Sequence, residues 1–359
     1  MRIGILSMQR VINYGSFLQA YALKKTLENL NHEVFFVDIR STPNKKYKYS
    51  KIESLIMNLK RIDKYIIKRI QHKKYIKERY YKFITCWQPS IGITSPIREK
   101  DCDMIVIGSD EVFNCCQQSK WGLSLQLFGD MEVPSLTYAA SCGNTTYRDV
   151  KKRGINTDIE RVLKKLYAIS VRDDNSREFV YELIKKVPQK HLDPVLIYDW
   201  TNEVKSKNEY KNYILIYAYD NRINDEKEIK EIKRFAKKYK KTLISFGVYQ
   251  RWCHKNILCS PFELISYFDD ADYVITDTFH GTVLSIKRNK QFATIIRDTN
   301  KNKIRDLLSQ FALENREITN VKELDSIISR AIDYGRINKI LEDEQKRAVM
   351  YFKSNLVKI

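Results

Sequence analysis

Four short segments put ionisable or hydrogen-bonding side chains where an apolar run gives way to polar residues. The first is Asp277-Thr278-Phe279-His280-Gly281-Thr282, after the apolar run 273–276. A lone histidine is more often structural. This one falls at a strand's end and on the opening turn of a helix, which is a place for proton transfer. The amides of Gly281 and Thr282 would add donors for an anion. The second segment is Gly108-Ser109-Asp110-Glu111-Val112-Phe113-Asn114, after the run 104–107. Asp110 and Glu111 suit a general base or a holder of sugar hydroxyls; an Asx turn with a capping carboxylate explains them equally well. The third is Asn13-Tyr14-Gly15-Ser16. A glycine at a helix start lets backbone come close to an anion, and an ordinary Ser16 N-cap is the competing account. The three-glycine spacing of a dinucleotide site is missing. The fourth is Arg172, closing the run 168–171. Its guanidinium could clamp a carboxylate or phosphate through two N–H groups, unless Asp173 or Asp174 occupies it.

These segments need strands that deliver them to one edge. Strands are expected at 2–7, 33–38, 104–107, 135–140 and 168–171, with helical patterns at 16–30, 158–166 and 176–184. Strands spaced by helices mean βαβ units and a parallel sheet. A polar connection around 192–212 precedes a second series. Its strands are expected at 213–219, 242–246, 273–276 and 292–296, and its helices at 226–239, 261–268, 280–287 and 304–311. The end, 321–333 and 337–355, reads as helical and could cross back. The fold class is therefore α/β, with an N-terminal doubly wound domain over 1–200, a second over 205–335 and a C-terminal helix over 336–359. Ligands of such sheets sit at the carboxyl ends of the strands.

Charge divides the chain unevenly. Its 359 residues hold 64 Lys+Arg and 44 Asp+Glu, a net +20, and residues 41–85 carry 14 Lys+Arg against 3 acidic residues, a local +11. Apolar residues at three- and four-residue steps from Ile52 to Ile70 make this basic insertion an amphipathic helix. It is expected to be a solvated helix, a contact for an anionic membrane surface or a lid. Nucleic acid is not expected, since no binding motif accompanies the charge. The apolar runs are strand-length and the first, 3–6, is too short for a leader, so a cytoplasmic protein is expected. Seven cysteines without framework spacing read as reduced thiols, and neither a metal site nor a cofactor is expected.

Taken in order, Asn13-Tyr-Gly-Ser-Phe-Leu-Gln-Ala-Tyr-Ala-Leu23, Val106-Ile-Gly-Ser-Asp110, Ser170-Val-Arg-Asp173, Asp193-Pro194 and Ala271-Asp-Tyr-Val-Ile-Thr-Asp-Thr-Phe-His-Gly281 resemble the polysaccharide pyruvyl transferase family. The resemblance implies two Rossmann-like domains in a GT-B-like arrangement. It also implies transfer of the pyruvyl group of phosphoenolpyruvate to two hydroxyls of a sugar, in a cell-surface polysaccharide or its lipid-linked precursor. A ketal forms and phosphate leaves. His280 would then be the acid and Asp110 would orient or deprotonate an acceptor hydroxyl. Arg172 would hold the donor, and the Gly15-Ser16 and Gly281-Thr282 helix starts would face its charge. Asn13, Ser109, Glu111, Asn114, Asp277, Thr278 and Phe279 complete the expected site. Two positions depart from the pattern. Thr278 stands where some members carry arginine, so the second cation would come from elsewhere, with Arg288, Arg297 and Lys287 as candidates. Glu111 and Phe113 replace a glutamine and a tryptophan. A nucleotide-sugar glycosyltransferase, or a non-catalytic basic protein at membranes, are the other readings.

Overall fold

The computed structural model describes residues 1–39, 66–116, 123–204, 209–220 and 222–357. The isoleucine-rich part of the basic insertion, 52–62, lies outside the described residues.

The first sheet takes β1 (Arg2–Leu6), β2 (Glu33–Phe36), β3 (Met104–Gly108) and β4 (Ser135–Tyr138) in the order β2-β1-β3-β4. All its pairings are parallel, with Ile3 beside Val34 and Met104. The expected strand over 168–171 shortens to β5 (Ser170–Val171), paired with the unanticipated β6 (Gln189–Lys190) and bridged to the sheet at Ala140. The second sheet contains β7 (Tyr213–Tyr217), β8 (Thr242–Phe246), β9 (Lys255–Ile257), β10 (Tyr273–Thr276), β11 (Phe292–Ile295) and β12 (Glu317–Ile318). Their order is β12-β11-β10-β7-β8-β9, again parallel. β9 and β12 were not legible in advance, because runs of three and two residues carry no periodicity.

Every residue of β3 and β7 is buried, as expected for parallel strands covered on both faces. One apolar cluster continues from Ile3 and Phe17 through Trp200 to Leu215, Val283 and Phe352, so the two domains share a core. A second cluster covers the far face of the first sheet and a third that of the second. The last helix, Tyr334–Asn355, crosses back. Its Tyr351 hydroxyl donates to Thr137 O at 2.7 Å and Phe352 lies 4.7 Å from Tyr138, ring to ring.

The described end of the basic insertion is a helix, Ile66–Lys82, running into a wider turn at Phe83–Trp87. It braces both domains. Tyr75 donates to Ile257 O at 3.0 Å, and Arg79 pairs with Asp220 at 2.7 Å in the second domain. Phe83 meets Tyr14 edge-on at 5.2 Å in the first. Its polar face, with Lys73, Lys74 and Lys77, is exposed.

Candidate active site

Each sheet reverses its winding once. In the first the reversal falls between β1 and β3, and in the second between β7 and β10. Ligands of open α/β sheets bind beyond the carboxyl ends of strands at such points. Here the loops leaving all four strands line one cleft of 1010 Å³. Asn13 and Ser16 follow β1, and Asp110, Glu111 and Asn114 follow β3. Tyr219 and Arg222 follow β7, and Phe279 and His280 follow β10. Thr299, Asn300 and Lys303 close the side belonging to the second domain.

The floor is built around Asp193. Arg172 Nη1, from the first domain, donates to its Oδ2 at 2.8 Å, and His280 Nε2, from the second, lies 3.5 Å from the same oxygen. Asp193 is wholly buried and caps the short helix Pro194–Ile197 through Val195 N at 3.0 Å. Burial alone would raise its carboxyl. His280 and Arg172 outweigh burial and hold it at about 2. Arg172 is 3% exposed and its guanidinium lies 4.1 Å over the Phe279 ring. Its Nε and Nη2 have no partner.

His280 is set by close packing. A Cβ on Gly15 would lie 2.1 Å from His280 Nδ1, so only glycine lets the first helix of one domain approach the imidazole of the other. Asp110 sits in the left-handed backbone region, φ 69°, which aspartate tolerates. Its Oδ2 accepts from Ser16 Oγ at 2.6 Å, tying the two strand-end loops of the first sheet together.

Glu111 forms an ion pair with Lys303 and accepts from Asn114 Nδ2 at 2.6 Å. Burial opposes its charge, but Lys303 holds its carboxyl at about 2. Lys303 is raised in turn, Glu111 outweighing the effect of burial. Arg222 lies over the Tyr219 ring at 4.8 Å and donates to Thr299 Oγ1 at 2.9 Å, leaving Nη1 without a partner.

Of the expected site residues, Asn13, Ser16, Asp110, Glu111, Asn114, Phe279 and His280 line the cleft. The others do not line it. Gly15 serves as the packing surface for His280. The amides of Gly15 and Ser16 are taken by Asn13 Oδ1 at 2.7 and 3.2 Å, and that of Gly281 by Thr278 Oγ1 at 2.9 Å. The Thr282 amide bonds to Thr278 O, so the amides expected to face an anion already have partners within their own helix starts. Ser109 is buried, its hydroxyl donating to Ala139 O at 3.0 Å. Asp277 lies under the cleft with its Oδ2 3.5 Å from Arg297 Nε, and burial raises its carboxyl to about 6. Arg172 faces Asp193 beneath Phe279, and Asp173 instead caps the following helix through Ser176 N. None of the three proposed replacement cations lines the cleft. Arg288 pairs with Asp269, Arg297 with Glu228, and Lys287 donates to Leu196 O. Among the described residues, the cations at the cleft are Lys303, Arg222 and Arg10, the last paired with Asp38.

Several cleft residues carried little local signal. Asp193 stood out only as part of the Asp193-Pro194 pair, with no role attached, and Lys303 is one lysine among many. Tyr219 and Arg222 could have been found as the residues following the second domain's first strand.

Solved structures with the same architecture include the S. aureus MnaA–UDP co-structure, at 12% identity and TM-score 0.51, with 100% of this chain and 97% of that one covered. They also include the Methanocaldococcus jannaschii UDP-GlcNAc 2-epimerase in complex with UDP-GlcNAc and UDP, at 13% identity and TM-score 0.51. There the match covers 99% of this chain and 100% of that one. The Neisseria meningitidis UDP-GlcNAc 2-epimerase bound to UDP-GlcNAc matches at 10% identity and TM-score 0.51, over 99% and 100% of the two chains. At such identities the likeness is one of fold, and it places this protein in the GT-B-like class of two facing Rossmann-like domains. Within that class the chain belongs to the polysaccharide pyruvyl transferase family, whose model matches residues 13–299. No curated protein matches it in sequence.

Proposed function

We propose that the protein transfers the pyruvyl group of phosphoenolpyruvate onto two hydroxyls of a sugar in a cell-surface polysaccharide or its lipid-linked precursor. The observation that carries this reading is the convergence of Arg172 and His280 on Asp193 at the floor of the cleft. A proton reaches C3 of the enol, C2 becomes electrophilic, and one sugar hydroxyl attacks it. Phosphate leaves, and the second hydroxyl closes the ketal. Two hydroxyl protons are released; they balance the proton gained at C3 and the one carried off by phosphate. In this scheme His280 is the acid and Asp110, on the cleft wall, receives a hydroxyl proton. Lys303 and Arg222 balance the donor's charge, and Arg172 holds Asp193 beneath them.

Purified protein should release phosphate from phosphoenolpyruvate only when a suitable glycan is present, and His280→Ala should abolish this. Turnover in that variant near the wild-type rate would remove His280 from the mechanism. Binding of a uridine-diphosphate sugar with none of phosphoenolpyruvate would move the protein to nucleotide-sugar transfer. We also propose a cytoplasmic protein docked at the inner membrane face through the lysines of 41–85, of which Lys73, Lys74 and Lys77 are exposed. Because Tyr75, Arg79 and Phe83 brace the cleft, charge reversal at Lys73, Lys74 and Lys77 is a cleaner test than deleting the segment. It should weaken binding to anionic vesicles and leave phosphoenolpyruvate affinity unchanged.

A further inference from the structure

We infer that the basic insertion builds the sugar-binding wall of the cleft, with Tyr80 and Ile84 as an apolar platform for a pyranose ring of the acceptor. This rests on the glycan-acceptor reading above and names the residues that hold the glycan. Ten large apolar side chains are exposed among the described residues, and four of them, Val11, Tyr80, Ile84 and Tyr219, line this one cleft. Tyr80 is 56% exposed and Ile84 38%. They stand four residues apart on one helical run, and therefore on one face of it. Isolated exposed apolar groups need no explanation, whereas a cluster inside a concave polar site does.

The platform is rigid. Arg79, beside Tyr80, is held by Asp220 at 2.7 Å and by Gly247 O at 3.3 Å. Phe83, beside Ile84, is buried and meets Tyr14 of the first domain edge-on at 5.2 Å. One neighbour is thus fixed to each domain. The occupant is chosen by size and chemistry. A cleft of 1010 Å³ is at the top of the roughly 300–1,000 Å³ that encloses a drug-sized ligand, far more than a three-carbon donor fills. The same cleft holds Asp110 and Asn114, which suit hydroxyls. A ligand with hydroxyls on its edge and C–H groups on its face is a carbohydrate.

The test uses full-length protein and a panel of galactose-, glucose-, mannose- and N-acetylhexosamine-terminated oligosaccharides, with binding read by saturation-transfer NMR. Tyr80→Ala should weaken glycan binding about fivefold to tenfold, the scale of one lost aromatic contact. Tyr80→Phe should bind like wild type. Tyr81→Ala is the control, since Tyr81 is 64% exposed on the same helix and does not line the cleft. Equal effects at the two positions, no effect at Tyr80, or no glycan bound by wild type would each overturn the inference. Glycan binding that needs Tyr80, without phosphoenolpyruvate-dependent phosphate release, would instead sink the pyruvyl reading and leave the sugar platform standing.

Discussion

Asp193→Asn tests the floor of the site most directly. The substitution keeps the shape of the side chain and an oxygen for the Val195 amide, and removes the charge between Arg172 and His280. The folded carboxyl titrates at about 2 against an ordinary 3.8, and a shift of that size corresponds to about 2 kcal/mol favouring the charged, folded form. Leaving Arg172 buried without its anion pushes the cost toward the ~3–5 kcal/mol of a broken buried pair. We therefore expect about 2–4 kcal/mol of lost stability at pH 7, or roughly 3–5 °C in Tm for a chain of this length. A depressed carboxyl contributes stability above its unfolded pKa and loses it as pH falls through the folded one. The gap between wild type and variant should hold from pH 5 to 8 and close between about pH 4 and 2. Scanning calorimetry across pH measures this, and phosphate release measures kcat, which should fall about 100-fold as the imidazole loses its orienting partner. A variant with unchanged Tm and kcat within about threefold of wild type would refute the reasoning.

Other substitutions separate geometry from charge. Gly15→Ala puts a methyl group 2.1 Å from His280 Nδ1. It should cost about 1–3 kcal/mol of stability by overpacking and about 100-fold in kcat by displacing the ring, read by the same two assays. Glu111→Gln strands Lys303 and should destabilise by about 3–5 kcal/mol, seen in urea unfolding, with the loss greatest above pH 4. Asp277 behaves in the opposite way. Its carboxyl is raised to about 6, so the folded state favours the neutral form and loses stability as pH rises through that value. Asp277→Asn should therefore raise Tm at pH 7 and leave it unchanged at pH 4. A sharp loss of kcat there would show Asp277 acting on the substrate.

The sequence alone determined the frame. Apolar runs such as 104–107 and 273–276 are short and uninterrupted because parallel strands are covered on both faces, and the polar residues following them had to fall at the carboxyl ends. His280, Asp110, Glu111 and Asn13 were legible for that reason. Tertiary structure decided which of those groups meet and which are already spent. Asn13 and Thr278 could be read as polar loop residues, but only the folded backbone shows their oxygens taking the helix-start amides meant for an anion. The partner of Arg172 is Asp193, 21 residues on, where Asp173 and Asp174 were the neighbours in sequence. Lys303 is indistinguishable from the other lysines until the second domain folds it against Glu111. The local +11 in 41–85 could be read as a solvated helix, a membrane contact or a lid. Its described end also packs Arg79 and Phe83 against different domains and presents Tyr80 to the cleft. Such pairings join residues far apart in the chain, and no local pattern of types or spacing encodes them.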